Sequence, residues 1–498
     1  MEKHSPTDVP AFDRELRGKT RRSIGWTAAR TLSDQFFSFA VFVVLAQLLT
    51  REEIGLFAIA YVFAEVGRIV ATSGLTQLVA RAKRIDARLV DTLFWTNVGA
   101  ALVYALLLAA AAPFLADLLR QPSAERPLQV LPFAAVINAI GASHMALRLR
   151  EFGHRTIALR SLFAGVIGGG TAIAAAIGGL GIWSLVIQRF VAETIGAILS
   201  WAAYRWVPGT AFDFRQLREN LSFGGNLTVA QLIFLFLVRI QDLLIGASLG
   251  AAAVGVYRVA WRTTEIIGNG AIQPFASVSL QTYSRLQSSP DALREAYRST
   301  LRASVTLSFP ALVGFGILAP DAVPMIFGAK WQDAGALAQV FAFIGIPYAL
   351  NYFASPILGA LGDSSRQRKL ALIQLIATLA LTLLALPYGL FWVAVAYVLR
   401  AYLTLPIQIR FLRQASPIRF ADTWIAIRAP FVASLAMGLT VWGARAAWHR
   451  IAPVDWSALS LLVATGAAFY FVLLLAISPG HRAQLRWWRQ QRERARHA

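Results

Sequence analysis

Acidic and basic side chains stand inside apolar segments of this chain, and they stand in pairs. Arg30 and Asp34 are four residues apart; Glu65 and Arg68, Arg239 and Asp242, and Arg262 and Glu265 are three apart. On an α-helix those spacings put both partners on one face, where each partly neutralises the other. A charge in hydrocarbon costs roughly 2.5–3.5 kcal/mol even on the lenient insertion scale, and such residues tend to face a polar cavity. Arg258 precedes Arg262 by one turn, so that helix presents two guanidiniums and one carboxylate in a stripe. Guanidinium forks match phosphate oxygens and stay charged when desolvated. The pattern suits an anionic, phosphate-bearing ligand, with Arg30, Arg68, Arg258 and Arg262 as its contacts and Asp34, Glu65, Asp242 and Glu265 as cavity carboxylates; Arg239, near the outer end of its helix, is a weaker candidate. The alternative is that these pairs, together with Arg189 and Glu193, are locks between helices that touch no ligand.

The elements that must position these charges are apolar. Of 498 residues, 57% are hydrophobic and 15% charged, with a mean hydropathy of +0.56. Soluble domains carry nearer a quarter of charged residues, so the class is a polytopic membrane protein. About fourteen apolar segments between residues 24 and 477 are long enough to cross roughly 30 Å of hydrocarbon as helices. The charge-bearing segments are 24–48, 54–76, 221–246 and 251–277; segments 127–147 and 334–357 are expected as single helices. The net charge of +21 could suggest nucleic acid, but the basic residues sit in short clusters between apolar segments. Alternate gaps are rich in Lys and Arg and the others nearly bare, which places both termini in the cytoplasm. The polar start "MEKHSPTDVPAFDRELRGKTRRS" does not read as a signal peptide, so the first apolar segment is expected to stay as an anchor.

Several chemistries are excluded. The chain has no Cys, its six His are scattered, and no HExxH, GxSxG or P-loop pattern is present. The gaps leave no room for a soluble catalytic domain. The expectation is a protein that is not an enzyme and needs neither cofactor nor metal.

The sequence also repeats itself. Leu49, Gly55, Ala60 and Glu65 return as Leu249, Gly255, Ala260 and Glu265. "LLAAAAPFLADLL" (107–119) is echoed by "FGILAPDAVPMIF" (315–327), and "QVLPF" (129–133) by "QVFAF" (339–343). The matches fall at equivalent positions, which predicts two six-helix lobes in the same order, a parallel repeat about an axis along the membrane normal. The expected organisation is a cytoplasmic tail (1–23), an N-lobe (24–204), a C-lobe (221–412), two further helices (424–478) and a basic cytoplasmic tail (479–498). Trp487, Trp488 and the Arg residues of that tail suit anionic lipid rather than nucleic acid.

Six stretches carry a family resemblance: "LAQLLTREEIGLFAIA" (45–60), "DTLFWTNVGAALVYALLLAAAAPFLA" (91–116), "GGLGIWSLVIQRF" (178–190), "LSFGGNLTVAQL" (221–232), "QDLLIGASLGAAAVGVYRVAWR" (241–262) and "IFGAKWQDA" (326–334). In this order the chain resembles the polysaccharide transport (Wzx-type flippase) branch of the multidrug/oligosaccharidyl-lipid/polysaccharide exporter superfamily. The resemblance implies a two-lobed exporter with a central cavity lined by helices 1, 2, 7 and 8. It implies a substrate of oligosaccharide on undecaprenyl pyrophosphate, moved between the leaflets of a bacterial inner membrane by alternating access for O-antigen, capsule or exopolysaccharide synthesis. The four Arg residues would then hold the pyrophosphate, and Glu65 or Glu265 would exchange a proton or ion. A polysaccharide polymerase or co-polymerase is the implied protein partner. The rival readings are a drug or cation antiporter of the same superfamily and a non-transporting component of a polysaccharide assembly complex.

The charge pattern of the gaps makes a direct prediction. Reporter fusions after residues 84, 215, 366 and 490 read cytoplasmic, and fusions near 120, 328 and 450 read periplasmic; one reversed gap overturns the count of fourteen.

Overall fold

The computed structural model describes residues 35–81, 87–151 and 153–482. Arg30, Asp34 and both tail segments 1–23 and 483–498 lie outside these residues. The described chain is helical, with no strand. That is the expected answer where lipid offers no water: a helix satisfies its own backbone groups. The chain forms two compact units, residues 1–255 and 256–498.

The first unit contains α1 (Gln35–Leu48), α2 (Arg51–Arg81), α3 (Ala87–Leu118), α4 (Glu125–Val130), α5 (Phe133–Arg150), α6 (His154–Ile177), α7 (Ile182–Ala203) and α8 (Phe214–Leu249), and the first turn of α9 (Ala251–Leu286). The second unit holds the rest of α9, then α10 (Pro290–Phe327), α11 (Gln332–Ala342), α12 (Gly345–Ala360), α13 (Ser364–Ala385), α14 (Leu390–Ala415), α15 (Phe420–Trp448) and α16 (Trp456–Ile477). Among the described residues, 11 helices are long and apolar enough to cross a membrane, or 12 if the bent pair α11–α12 is one span. The two expected spans outside this count have identifiable causes. Only the apolar stretch Gln35–Leu48 of α1 falls among the described residues, and α9 carries Arg258, Arg262, Glu265, Asn269 and Gln273. Large apolar side chains such as Leu107, Phe114, Ile376, Leu439 and Val472 point outward from these helices, as lipid-facing residues do.

Of the segments expected as single helices over 127–147 and 334–357, the first lies in one span, Pro122–Arg150, with a short interruption at 131–132, and the second is a bent pair. In the first unit a 3-10 turn (Pro122–Ala124) leads into short α4, the helix breaks at 131–132, and α5 follows. In the second, a 3-10 turn (Ala329–Trp331) leads into α11, the helix breaks at 343–344 with a bend of 57°, and α12 follows. The breaks fall on the echoed phrases "QVLPF" and "QVFAF". Pro132 interrupts the first. In the second, Pro347 has no N–H for the Phe343 carbonyl, which instead accepts the Tyr402 hydroxyl at 2.7 Å.

The echoed glycines meet backbone on backbone. A Cβ on Gly55 would lie 1.7 Å from the Ala251 carbonyl oxygen, and one on Gly255 would lie 2.0 Å from that of Arg51. Each glycine therefore sits against the residue that precedes the other by one turn, so the repeated phrase packs reciprocally on itself. Gly250, at φ +88°, makes the turn that brings α9 to this crossing.

In the second unit α10 and α15 run side by side in the same direction. At their first ends the fully buried Asp422 accepts Arg294 Nε at 3.2 Å, Arg298 Nε at 2.8 Å and the Arg419 backbone N–H at 2.7 Å. At their last ends Asp321 pairs with Arg445 at 2.5 Å and with His449 at 3.3 Å. Between the clamps the contact is apolar: Gly438 lets α15 approach Val313 and Ile317, and Met437, Val441 and Tyr470 are buried beside Leu318.

The glycine crossing is testable. Gly55→Ala and Gly255→Ala each drive a side chain into main-chain atoms, so both lower the melting temperature of the purified protein. Gly443→Ala, with nothing within 4 Å of its Cβ, leaves it unchanged or raised.

Candidate functional site

α2 brings Tyr61, Glu65 and Arg68 to one face, at successive helical turns. Glu65 accepts Arg68 Nε at 3.0 Å, a second bond from Arg68 Nη2, and the Tyr61 hydroxyl at 3.2 Å. This face borders an open cavity of about 480 Å3 in the first unit, also lined by α1, α5, α6 and α7. Ligand cavities commonly run from about 300 to 1,000 Å3.

α7 supplies Arg189 and Glu193 to the same cavity, one turn apart and 2.7 Å between Nη2 and Oε1. The second Glu193 oxygen accepts Asn138 Nδ2 of α5, also at 2.7 Å. α6 adds Arg160, whose Nε donates to the Gly196 carbonyl at 2.8 Å. A Cβ at Gly196 would come within 2.8 Å of the Arg160 guanidinium, so this glycine makes room for the cation against α7. Tyr61 ties the two ion pairs together: the Arg189 guanidinium lies 5.3 Å from its ring centroid and that of Arg239 lies 5.8 Å away. Such contacts attract through the ring quadrupole, by about 0.5–2 kcal/mol depending on solvation. Arg239 reaches Asp242, which is fully buried, at 3.6 Å.

The cavity therefore faces three guanidiniums, from Arg68, Arg160 and Arg189, and two carboxylates, from Glu65 and Glu193. Removing one partner of a buried ion pair costs roughly 3–5 kcal/mol.

The second unit carries its own charged face on α9. Arg262 Nη1 pairs with Glu265 Oε2 at 3.0 Å, and Arg258 lies half-buried one turn earlier. Trp261, on the same helix, is buried edge-on against Phe341, Tyr348 and Tyr397, and Tyr348 and Tyr352 both donate to Asn269 Oδ1, at 2.8 and 2.6 Å.

Of the residues singled out in the sequence, Glu65 and Arg68 line the first-unit cavity, and Arg239 and Asp242 join it through Tyr61. Arg258, Arg262 and Glu265 belong to the second unit, and Arg30 and Asp34 lie outside the described residues. Tyr61, Asn138 and Arg160 escaped the sequence reading. Arg160 had a signal, a lone cation inside an apolar segment; Tyr61 and Asn138 had none beyond helical spacing.

A polytopic helical protein with paired charges around an open cavity has the build of a membrane transporter, and the comparisons with known proteins agree. The family described as "Polysaccharide biosynthesis protein" matches residues 44–336, and that of the lipid II flippase MurJ matches residues 229–463. The chain belongs to the polysaccharide biosynthesis protein family. It is 23% identical over 467 residues to the teichuronic acid biosynthesis protein TuaB of Bacillus subtilis, covering 92% of this chain and 96% of that one. It is 25% identical over 358 residues to the succinoglycan biosynthesis transport protein ExoT of Rhizobium meliloti, covering 72% of each chain. Over 338 residues it is 23% identical to the lipopolysaccharide biosynthesis protein WzxC of Escherichia coli, covering 66% of this chain and 68% of that one. Among solved structures, the fold is that of the lipid II flippase MurJ in an inward closed conformation, with a TM-score of 0.73 and 11% identity over 90% of this chain and 98% of that one. An inward-facing multidrug resistance MATE family transporter of the MOP superfamily follows the same fold, with a TM-score of 0.63 and 16% identity over 76% of this chain and 94% of that one.

The Tyr61 bridge yields a graded expectation. Tyr61→Phe removes one charged hydrogen bond, and Tyr61→Leu removes in addition the ring beneath two guanidiniums. Phe lowers the melting temperature of the purified protein slightly and Leu lowers it more, by about 1 and about 2 kcal/mol in stability respectively. Equal effects would show that the ring face contributes nothing.

Proposed function

We propose that this protein is a flippase of the bacterial inner membrane that moves polyprenyl-pyrophosphate-linked oligosaccharide repeat units from the cytoplasmic to the periplasmic leaflet, with no catalytic step of its own. The observation that carries this reading is the first-unit cavity: among the described residues the guanidiniums of Arg68, Arg160 and Arg189 face one ligand-sized space, with Glu65 against Arg68 and Glu193 against Arg189. Cavities that select drug cations would call for the opposite sign. The family and the MurJ-like fold support the same direction of inference.

In this reading α1 and α9 complete a set of fourteen spans, arranged as lobes 24–204 and 221–412 with two further helices over 424–478. The two broken helices and the reciprocal glycines support such a repeat. Arg30, Arg68, Arg258 and Arg262 bind the pyrophosphate while the isoprenoid tail stays in the bilayer. The pyrophosphate competes with Glu65 and Glu265 for their arginines, and a released carboxylate takes up a proton or ion as the lobes alternate. The product serves a polysaccharide polymerase on the outer face.

Transport in proteoliposomes tests the reading. Arg258→Ala and Arg262→Ala abolish translocation of lipid-linked oligosaccharide at normal protein levels, and Lys restores it only in part because it lacks the bidentate fork. Glu65→Gln and Glu265→Gln retain substrate binding but lose dependence on an imposed pH gradient. Wild-type protein that fails to translocate the lipid-linked substrate overturns the flippase, and full activity in both Ala variants removes the α9 arginines from its site.

A further inference from the structure

We infer that Arg400 of α14 is a positioning residue: through the ring of Tyr397 it holds the aromatic cluster around Trp261, and so sets the direction in which α9 presents Arg258, Arg262 and Glu265. The inference deepens the proposed function and rests on it only for the transport readout.

Arg400 is a charge out of place. It lies ten residues past Leu390, about 15 Å along α14 and so near the middle of a membrane span. Only 7% of it is exposed. Its Nε has no hydrogen-bond partner, and among the described residues it forms no ion pair. Other arginines of this unit are neutralised: Arg262 by Glu265, Arg294 and Arg298 by Asp422, Arg445 by Asp321. A buried guanidinium without a carboxylate is costly, and an arginine, unlike a lysine, does not shed its proton to escape the cost. A methionine would fill much of the same space without it.

Arg400 has a ring as its neighbour instead. Its guanidinium lies 4.6 Å from the centroid of Tyr397, one turn earlier on α14. Such a contact is attractive through the ring quadrupole, and most so where water is excluded. Tyr397 in turn meets Trp261 of α9 at 5.0 Å and Phe341 of α11 at 6.1 Å, and Trp261 meets Phe341 at 5.4 Å, with interplanar angles of 86–88°. Rings from three helices thus close a triangle of edge-to-face contacts, an arrangement that aromatic pairs favour. The cation covering Tyr397 keeps that ring in its corner of the triangle.

The cluster acts on α9. Trp261 lies three residues after Arg258, next to Arg262 and one turn before Glu265. Each residue advances about 100° around an α-helix, so a helix held at Trp261 is held in rotation, and its charged side chains with it. Thr263 and Thr264 occupy the protected side of α9: both are buried and bonded to the Val259 and Ala260 carbonyls of their own helix. Their burial reports the helix's orientation. A packing residue raises stability. Arg400 lowers it by standing charged among apolar neighbours, and what the fold gains is a fixed direction for the charges on α9.

The chain has no Cys, so Thr263→Cys or Thr264→Cys introduces a single thiol whose reaction with a membrane-permeant maleimide reads the exposure of that side of α9. In the purified full-length protein, Arg400→Met makes either thiol react about tenfold faster, the effect of losing one desolvated cation–π contact. The melting temperature is unchanged or higher, because the buried charge is gone. Arg400→Lys, which keeps the charge and loses the flat stack, falls between. Tyr397→Leu accelerates the reaction as Arg400→Met does, and the two together add nothing further. In proteoliposomes Arg400→Met slows translocation of lipid-linked oligosaccharide, and Lys restores part of the rate. Unchanged thiol reactivity in Arg400→Met overturns the inference. So does a faster reaction with a lowered melting temperature, which makes Arg400 a packing residue, and so does a full effect of Arg400→Met on top of Tyr397→Leu, which takes the ring out of the route. Thiols that respond to Arg400 in a protein that translocates nothing leave the positioning role standing and remove the flippase; translocation with thiols indifferent to Arg400 does the reverse.

Discussion

Charge in a hydrocarbon environment has to be neutralised nearby, and in this chain the way it is neutralised separates two kinds of ion pair. Glu65–Arg68, Arg189–Glu193, Arg239–Asp242 and Arg262–Glu265 each lie within a single helix. In these pairs both partners travel with one backbone, and contact with other helices comes through neighbours such as Asn138 and Tyr61. Asp422 with Arg294 and Arg298, and Asp321 with Arg445, join different helices and sit near helix ends. These fix neighbours to one another.

Much of this was legible in the sequence because it depends on short-range spacing. Three- and four-residue intervals placed the intrahelical partners correctly, and all four pairs within the described residues are formed. The helical class and membrane span followed from apolar runs alone. What spacing could not reveal is which helices face each other. Arg160 and Asn138 reach the cavity through contacts with Gly196 and Glu193, tens of residues away along the chain. Arg189 and Glu193 were visible as a pair, but the ring that links Arg189 to Glu65 belongs to α2.

The broken helices show a different limit. An apolar count treats 127–147 and 334–357 as uniform, yet the first has a short interruption within one span and the second bends by 57°. One break follows from a proline within the phrase, Pro132. The other follows from Pro347, four residues beyond the phrase's last Phe, and a tyrosine from α14 occupies the carbonyl it leaves. The local architecture is thus retained by two different sets of residues, which is why the sequence echo is strong in order and weak in identity.

The α10–α15 clamps have a consequence for the membrane around them. Asp422 and Arg445 are separated by 23 positions on α15, about 35 Å at the rise of an α-helix. That is close to the roughly 30 Å of hydrocarbon in a typical bilayer, a spacing that suits one clamp near each face of the membrane. The helix pair is in effect a ruler cut to one bilayer thickness. A thicker membrane would draw one clamp into the acyl chains and strip it of water, whereas a thinner one would expose the apolar rungs between Val313 and Met437. Such a spacing would make lipid chain length a variable for this helix pair, through hydrophobic mismatch rather than through any ligand.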